Sequence, residues 1–249
     1  MINVHIVAGG PGDPELITLK AKRIIDSADH IFTSKKFIPE KMFEDKKTKC
    51  QIYDTFQHSY EEKMDIIKEA VNKNEKIVFV TMGDPFIYGA IGGIIDRLEK
   101  ANISFEIVPG VSAVNASSAI LKRGMTGLGT SNTAICTSYK DVSNPIEYLE
   151  KIASLKASVA LFMSVNKIEE ICDVFMKHYS EDTAVVVISK ATWVEEKIVR
   201  GSLKTIADDV QSNGVEEGLI LIGDFIDREY DYILEKEFME RKKKESLRQ

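Results

Sequence analysis

The run Ile77-Val78-Phe79-Val80-Thr81-Met82-Gly83-Asp84-Pro85-Phe86-Ile87-Tyr88-Gly89-Ala90 leaves this chain few folding options. Four apolar, mostly β-branched residues open it, which predicts a strand buried on both faces in a parallel sheet. Gly83-Asp84-Pro85 then ends the strand, because glycine permits a tight turn and proline pushes Asp84 out of the helical region. Tyr88, Ile91, Ile95 and Leu98 recur at spacings of three and four, predicting a helix. Such a turn leaves backbone N–H groups and one carboxylate at the carboxyl edge of the sheet, where open α/β sheets bind ligands. A plain helix cap is the other use of Asp84.

Neighbouring segments repeat the arrangement. Ile2–Val7 predicts a strand that runs into Ala8-Gly9-Gly10-Pro11-Gly12-Asp13-Pro14-Glu15. That loop is no P-loop, since no Gly-Lys-Ser/Thr follows. It also fails the dinucleotide fingerprint, whose third glycine falls on Glu15. Asp13 as a helix cap explains it equally well. Leu16–Ser27 reads as a helix with Leu16, Leu19 and Ile24 inward, Ala28–Thr33 as a strand, Lys35–Glu44 as a charged segment and Gln51–Tyr53 as a short strand. Tyr60, Met64, Ile67 and Val71 mark an amphipathic helix. Phe105–Val108 predicts a strand ending in Pro109-Gly110-Val111-Ser112-Ala113, and Val111–Leu121 a helix of small residues. This alternation argues a parallel sheet with crossover helices.

Gly124, Gly127 and Gly129 crowd the stretch 123–132, read as a boundary between an N-terminal domain (1–123) and a C-terminal one (124–240), with 241–249 a charged tail. In the second half Thr133–Thr137, Ser158–Met163, Thr183–Ser189, Glu195–Arg200 and Gly218–Ile222 read as strands. Asn166–Lys177 and Lys204–Ser212 read as helices. A mixed sheet with at least one antiparallel pair fits this rhythm.

The balance of 39 acidic against 33 basic residues, net charge −6, argues against a polyanion-binding surface and so against nucleic acid. Cys50, Cys136 and Cys172 form no C-x-x-C pair, and His5, His30, His58 and His178 lack metal-ligand spacing. The cysteines are read as reduced and buried, and no metal is expected. No apolar run reaches the roughly 18 residues of a membrane span. A soluble cytoplasmic protein is expected.

Taken together, Gly10–Asp13, Gly83–Gly89 (Gly-Asp-Pro-x-x-Tyr-Gly) and Val108–Ser112 (Val-Pro-Gly-Val-Ser) resemble, in order and spacing, the tetrapyrrole (precorrin/uroporphyrinogen) methylases. The resemblance runs from about Val4 to Asp227. Lys190-Ala191-Thr192-Trp193-Val194-Glu195-Glu196-Lys197-Ile198-Val199-Arg200 is similar to the Ala-Thr-Trp-Pro-(Asp/Glu)-Glu-x-Ile-Val-Arg signature of the precorrin-4 C-11-methyltransferases. Three features depart from the pattern. Ala8 replaces a glycine, Val194 replaces a proline, and Thr137-Ser138-Tyr139-Lys140-Asp141-Val142 lacks the two arginines of Thr-Arg-x-x-Gly-Arg. Lys140 is a partial substitute without the bidentate fork.

The resemblance implies two α/β lobes, one mostly parallel and one mixed, with the active-site cleft between them. It implies S-adenosylmethionine as methyl donor, S-adenosylhomocysteine as product, a small-molecule tetrapyrrole as substrate, and a homodimer. Residue by residue it assigns donor binding to Pro11, Met82, Gly83, Asp84, Ile87, Ser112, Ala113, Met163 and Ala191. No catalytic residue is assigned; His58 and Asp13 are candidate bases. Lys35, Lys36, Arg123, Lys140 and Lys190 are candidates for substrate carboxylates. The expected reaction is methylation at C-11 of precorrin-4 or its cobalt form. Alternatives are another tetrapyrrole methylase, acting on uroporphyrinogen III or precorrin-2, and a non-catalytic cofactor- or tetrapyrrole-binding module. A dinucleotide oxidoreductase is disfavoured by the missing glycine.

Overall fold

Five strands, β1 (Val4–Ala8), β2 (His30–Thr33), β3 (Gln51–Asp54), β4 (Ile77–Thr81) and β5 (Phe105–Val108), form one sheet in the order β3-β2-β4-β1-β5, with every pair parallel. The computed structural model describes residues 2–34, 36, 38, 40–43, 50–140 and 142–246. β1 and β4 are apolar because they are central, and helices cover both faces. Val4, Ile6, Ile77 and Phe79 pack with α2 (Tyr60–Asn72) and α3 (Gly92–Lys100), while Val7, Val78 and Val80 pack with α1 (Leu19–Asp26). Local chemistry fixes the helix starts. Ser59 and Glu62 form a capping box on α2, and Thr18 accepts the Ala21 N–H of α1.

Three details differ from the sequence reading, two of them in this half. The helix expected from Leu16 is a 3-10 turn over Pro14–Leu16 followed by α1, and Leu19 at its first position is 83% exposed instead of inward. The helix expected from Tyr88 begins at Gly92, because Tyr88 and Ala90 take left-handed backbone angles (φ 59° and 51°) that no helix accommodates. Cys136 is exposed, although Cys172 is buried as expected.

After α4 (Ala113–Leu121), the second sheet contains β6 (Ala134–Ser138), β7 (Ser158–Phe162), β8 (Ala184–Ser189), β9 (Lys197–Ser202) and β10 (Leu219–Ile222). Its order is β6-β7-β10-β8-β9, with β6–β7 parallel and the other pairs antiparallel. Val159, Leu161, Val185, Val187, Ile220 and Ile222 pack against α5 (Pro145–Ser154), α6 (Ile168–Met176) and α7 (Ile206–Ser212). α5 escaped the periodicity reading, yet its start signals are present: Asn144 accepts the Glu147 N–H and Pro145 sits in the first turn. α8 (Tyr232–Ser246) closes the described chain. Two compact units divide the molecule, residues 1–116 with 191–194, and residues 117–190 with 195–249. Among the described residues no helix is long and apolar enough to cross a membrane, and no cluster of metal-ligating side chains occurs.

His5 on β1 carries a consequence for stability. It is 7% exposed, neither ring nitrogen is hydrogen-bonded, and the Glu106 carboxylate lies 3.4 Å from Nδ1. Burial lowers its pKa below the ordinary 6.5, against the pull of Glu106 and with the push of Lys76. The unfolded chain therefore binds the proton first as pH falls. The stability due to neutral His5 is complete above 6.5 and is lost progressively below it. Thermal melts should show the Tm falling as the pH drops below about 6.5, with a smaller fall in His5→Leu.

Candidate active site

The carboxyl ends of β1, β4 and β5 lie side by side, and their three loops are bonded into one body. Gly9 N–H donates to Thr81 O (2.7 Å) and Gly83 N–H to Gly10 O (2.8 Å), closing an antiparallel bridge between Gly10 and Gly83. Both glycines have positive φ (75° and 65°), so a side chain there would be strained. Asp84 spans the next gap. Its Oδ1 accepts the Phe86 N–H and its Oδ2 the Gly110 N–H, each at 2.9 Å. Asp84 is thus neither the cap of α3 nor an uncommitted carboxylate. It ties the β4 loop to the β5 loop and keeps unfilled acceptor positions on both oxygens. Gly110 lies so close to β1 that a Cβ there would meet the Ala8 Cβ at 2.3 Å.

A fourth segment belongs to the same unit. Thr192 Oγ1 accepts the Asp13 N–H (2.9 Å), Trp193 Nε1–H donates to Pro11 O (3.0 Å), and the indole edge lies on Gly12. Thr192 has φ +68°, an outlying angle for a β-branched residue and a cost of order 1–3 kcal/mol. Tyr88 and Ala90, also at positive φ, stand in the β4 loop. Three of the nine non-glycine residues with positive φ among the described residues therefore fall in these two segments.

Of the residues assigned by resemblance, Pro11, Met82, Gly83, Asp84, Ile87, Ser112, Ala113 and Ala191 all lie in the first unit. Gly83 approaches the Ser112–Ala113 backbone, and the Ala191 carbonyl stands 2.9 Å from where a Gly12 Cβ would be. Met82 and Ile87 are exposed, whereas Pro11, Gly83, Ser112 and Ala191 are buried. Ile87 N–H donates to Asp84 O (3.2 Å). Met163 belongs to the second unit, where it follows β7 at φ +51° with its side chain exposed.

The two candidate bases have structural partners. Asp13 Oδ1 accepts the Glu15 N–H (2.9 Å), and His58 Nδ1 lies 2.9 Å from Asp54 O with its ring edge-on to Phe32 and Tyr53. Among the cationic candidates, Arg123 donates to the carbonyls of Ile226 and Lys122. Lys36, Lys140 and Lys190 are exposed, and Lys35 lies outside the described residues, as does Asp141 of the motif lacking arginines. The sequence brings the Ala191-Thr192-Trp193 region to the glycine-bearing bends, but not the atoms through which Thr192 and Trp193 hold the first loop. Their signature was visible, but a separation of some 180 residues hid what it contacts.

A family model described as Tetrapyrrole (Corrin/Porphyrin) Methylases matches residues 3–207. The cobalt-precorrin-4 C(11)-methyltransferase of Methanocaldococcus jannaschii is 39% identical over 232 residues, which span 91% of this chain and 89% of that one. The X-ray structure of a cobalt precorrin-4 methyltransferase, described as a cobalamin biosynthetic enzyme, superposes with a TM-score of 0.86 at 31% identity, covering 90% of this chain and 96% of that one. The uroporphyrin-III C-methyltransferase of Thermus thermophilus, solved in complex with S-adenosylhomocysteine, shares the fold at a TM-score of 0.73 and 20% identity, covering 90% of this chain and 93% of that one. With the family model spanning most of its length and the fold matching throughout, this chain belongs to the tetrapyrrole (corrin/porphyrin) methylases.

Proposed function

We propose that the chain is an S-adenosylmethionine-dependent C-methyltransferase that acts at C-11 of precorrin-4 or cobalt-precorrin-4 in cobalamin biosynthesis, as a cytoplasmic homodimer. The observation that carries this reading is the 39% identity, over nine-tenths of the chain, to a cobalt-precorrin-4 C(11)-methyltransferase.

The residues of the first unit suit such a donor. At Gly83 the nearest atoms to an added Cβ are backbone atoms of Ser112 and Ala113 at 3.8 Å, so a ligand can run close to the main chain there. Met82 and Ile87 offer apolar surface for an adenosine, and Asp84 offers negative charge for a cationic ligand. When bound, the donor supplies a methyl group on a cationic sulfur that leaves as a neutral thioether. The chain has no need of a nucleophile of its own, because the electron-rich ring carbon attacks directly. Its work is alignment, holding the reacting carbon about 3–3.5 Å from the methyl. The bonds from Asp84 to Gly110 and from Gly83 to Gly10 keep the donor loops in register for that task.

Incubation with precorrin-4 or its cobalt form and ¹³C-methyl-labelled donor, followed by NMR, should place the new methyl at C-11. Label at another carbon, or turnover of uroporphyrinogen III in preference, would overturn the assignment. Light scattering should give a mass about twice 27.9 kDa.

A further inference from the structure

We infer that Thr192 and Trp193 are positioning residues: together they latch the Gly9–Asp13 loop in the shape that receives the donor. This rests on the donor reading above. Nothing in the family assignment gives these side chains a task, and their contacts supply one.

The loop has no regular structure and three glycines, so its disordered state is entropically favoured. One end is secured by the first sheet, through Gly9 N–H to Thr81 O and Gly83 N–H to Gly10 O. Beyond Gly10 the holding passes to the distant segment. Pro11 O accepts the Trp193 indole N–H, and the Asp13 N–H is accepted by the Thr192 hydroxyl. Between them Gly12 lies so close to the indole that an added Cβ would sit 2.2 Å from Trp193 Cδ1 and 2.9 Å from Ala191 O. Pro11 and Ala191, two residues assigned to the donor, are therefore positioned by the same contacts. Thr192 holds its bond at a backbone angle that β-branched residues avoid, and strain of this sort persists where the surroundings impose it. A loop ordered in advance spares the ligand the cost of ordering it.

Because the latch acts on binding, its loss should raise KM for the donor and the Kd for S-adenosylhomocysteine more than it lowers kcat. Thr192→Val keeps the shape and removes the acceptor; Trp193→Phe keeps a ring and removes the donor. Each should weaken S-adenosylhomocysteine binding about three- to tenfold by calorimetry, with kcat within about twofold. Thr192→Ser, which restores the hydroxyl, should return the affinity to near that of the wild type. Amide hydrogen exchange on the unmodified, ligand-free protein needs no variant to fold: the Asp13 N–H, held by Thr192, should already be protected. Variants that bind as tightly as wild type, or an Asp13 amide that exchanges as fast as an unstructured one, would overturn the latch while leaving the donor reading intact. A wild-type protein that fails to bind S-adenosylhomocysteine would overturn both.

Discussion

Asp84→Ala is expected to lower kcat/KM for methyl transfer about a hundredfold, the scale that a displacement near 1 Å costs an aligned reaction. The carboxylate holds two loops at once, through Phe86 N–H and Gly110 N–H at 2.9 Å each. Truncation leaves both donors without their acceptor, and bonds to a charged acceptor are the stronger kind. Asp84→Asn keeps one acceptor oxygen and should fall between, roughly tenfold down. Initial rates at varied donor concentration, with a thermal melt to establish folding, check this. A folded Asp84→Ala protein within threefold of wild type would show that the β4–β5 tie does not matter to the reaction.

The second large effect concerns stability. Gly110→Ala places a methyl 2.3 Å from the Ala8 Cβ, and Ala8 is buried at the end of the central strand. Neither partner can move without disturbing β1, so the overpacking should cost about 2–3 kcal/mol. For a chain of this length that is a fall in Tm of roughly 5–10 °C. Gly92→Ala is the matched contrast. It opens α3 with nothing within 4 Å of an added Cβ and no positive φ. Replacing it should stabilise by about 0.4–1 kcal/mol, because alanine loses less backbone freedom on folding. A Gly110→Ala protein that melts at or above the wild-type temperature would contradict the packing described around Gly110.

The contrast between these glycines bears on what the sequence could disclose. Ile77–Val80 declared a buried parallel strand because continuous apolar runs have one common use, and Gly83-Asp84-Pro85 declared the turn. Strands β7, β8 and β10 of the second sheet were legible for the same reason, while β9 mixes charged and apolar residues. Tyr88 misled because its spacing to Ile91 and Ile95 fits a helix, while its backbone lies in the left-handed region. Periodicity sees side-chain spacing and is blind to φ. Leu19 was expected inward for the same reason, although it opens α1 at a position facing solvent. At the site, motif order pointed to loops that the fold does bond to one another, but the partners were hidden. Which N–H groups Asp84 accepts, and that Trp193 reaches Pro11, are tertiary facts between segments far apart in the chain.

The central claim is that the loops after β1, β4 and β5, with the Ala191–Val194 segment, hold the methyl donor. Amide hydrogen exchange with and without saturating S-adenosylhomocysteine tests it most directly. Peptides containing Gly9–Asp13, Met82–Tyr88, Gly110–Ala113 and Ala191–Val194 should exchange more slowly with ligand bound, and α8 should be unchanged. Slowing confined to other segments, with these four unaltered under the same saturation, would contradict the account.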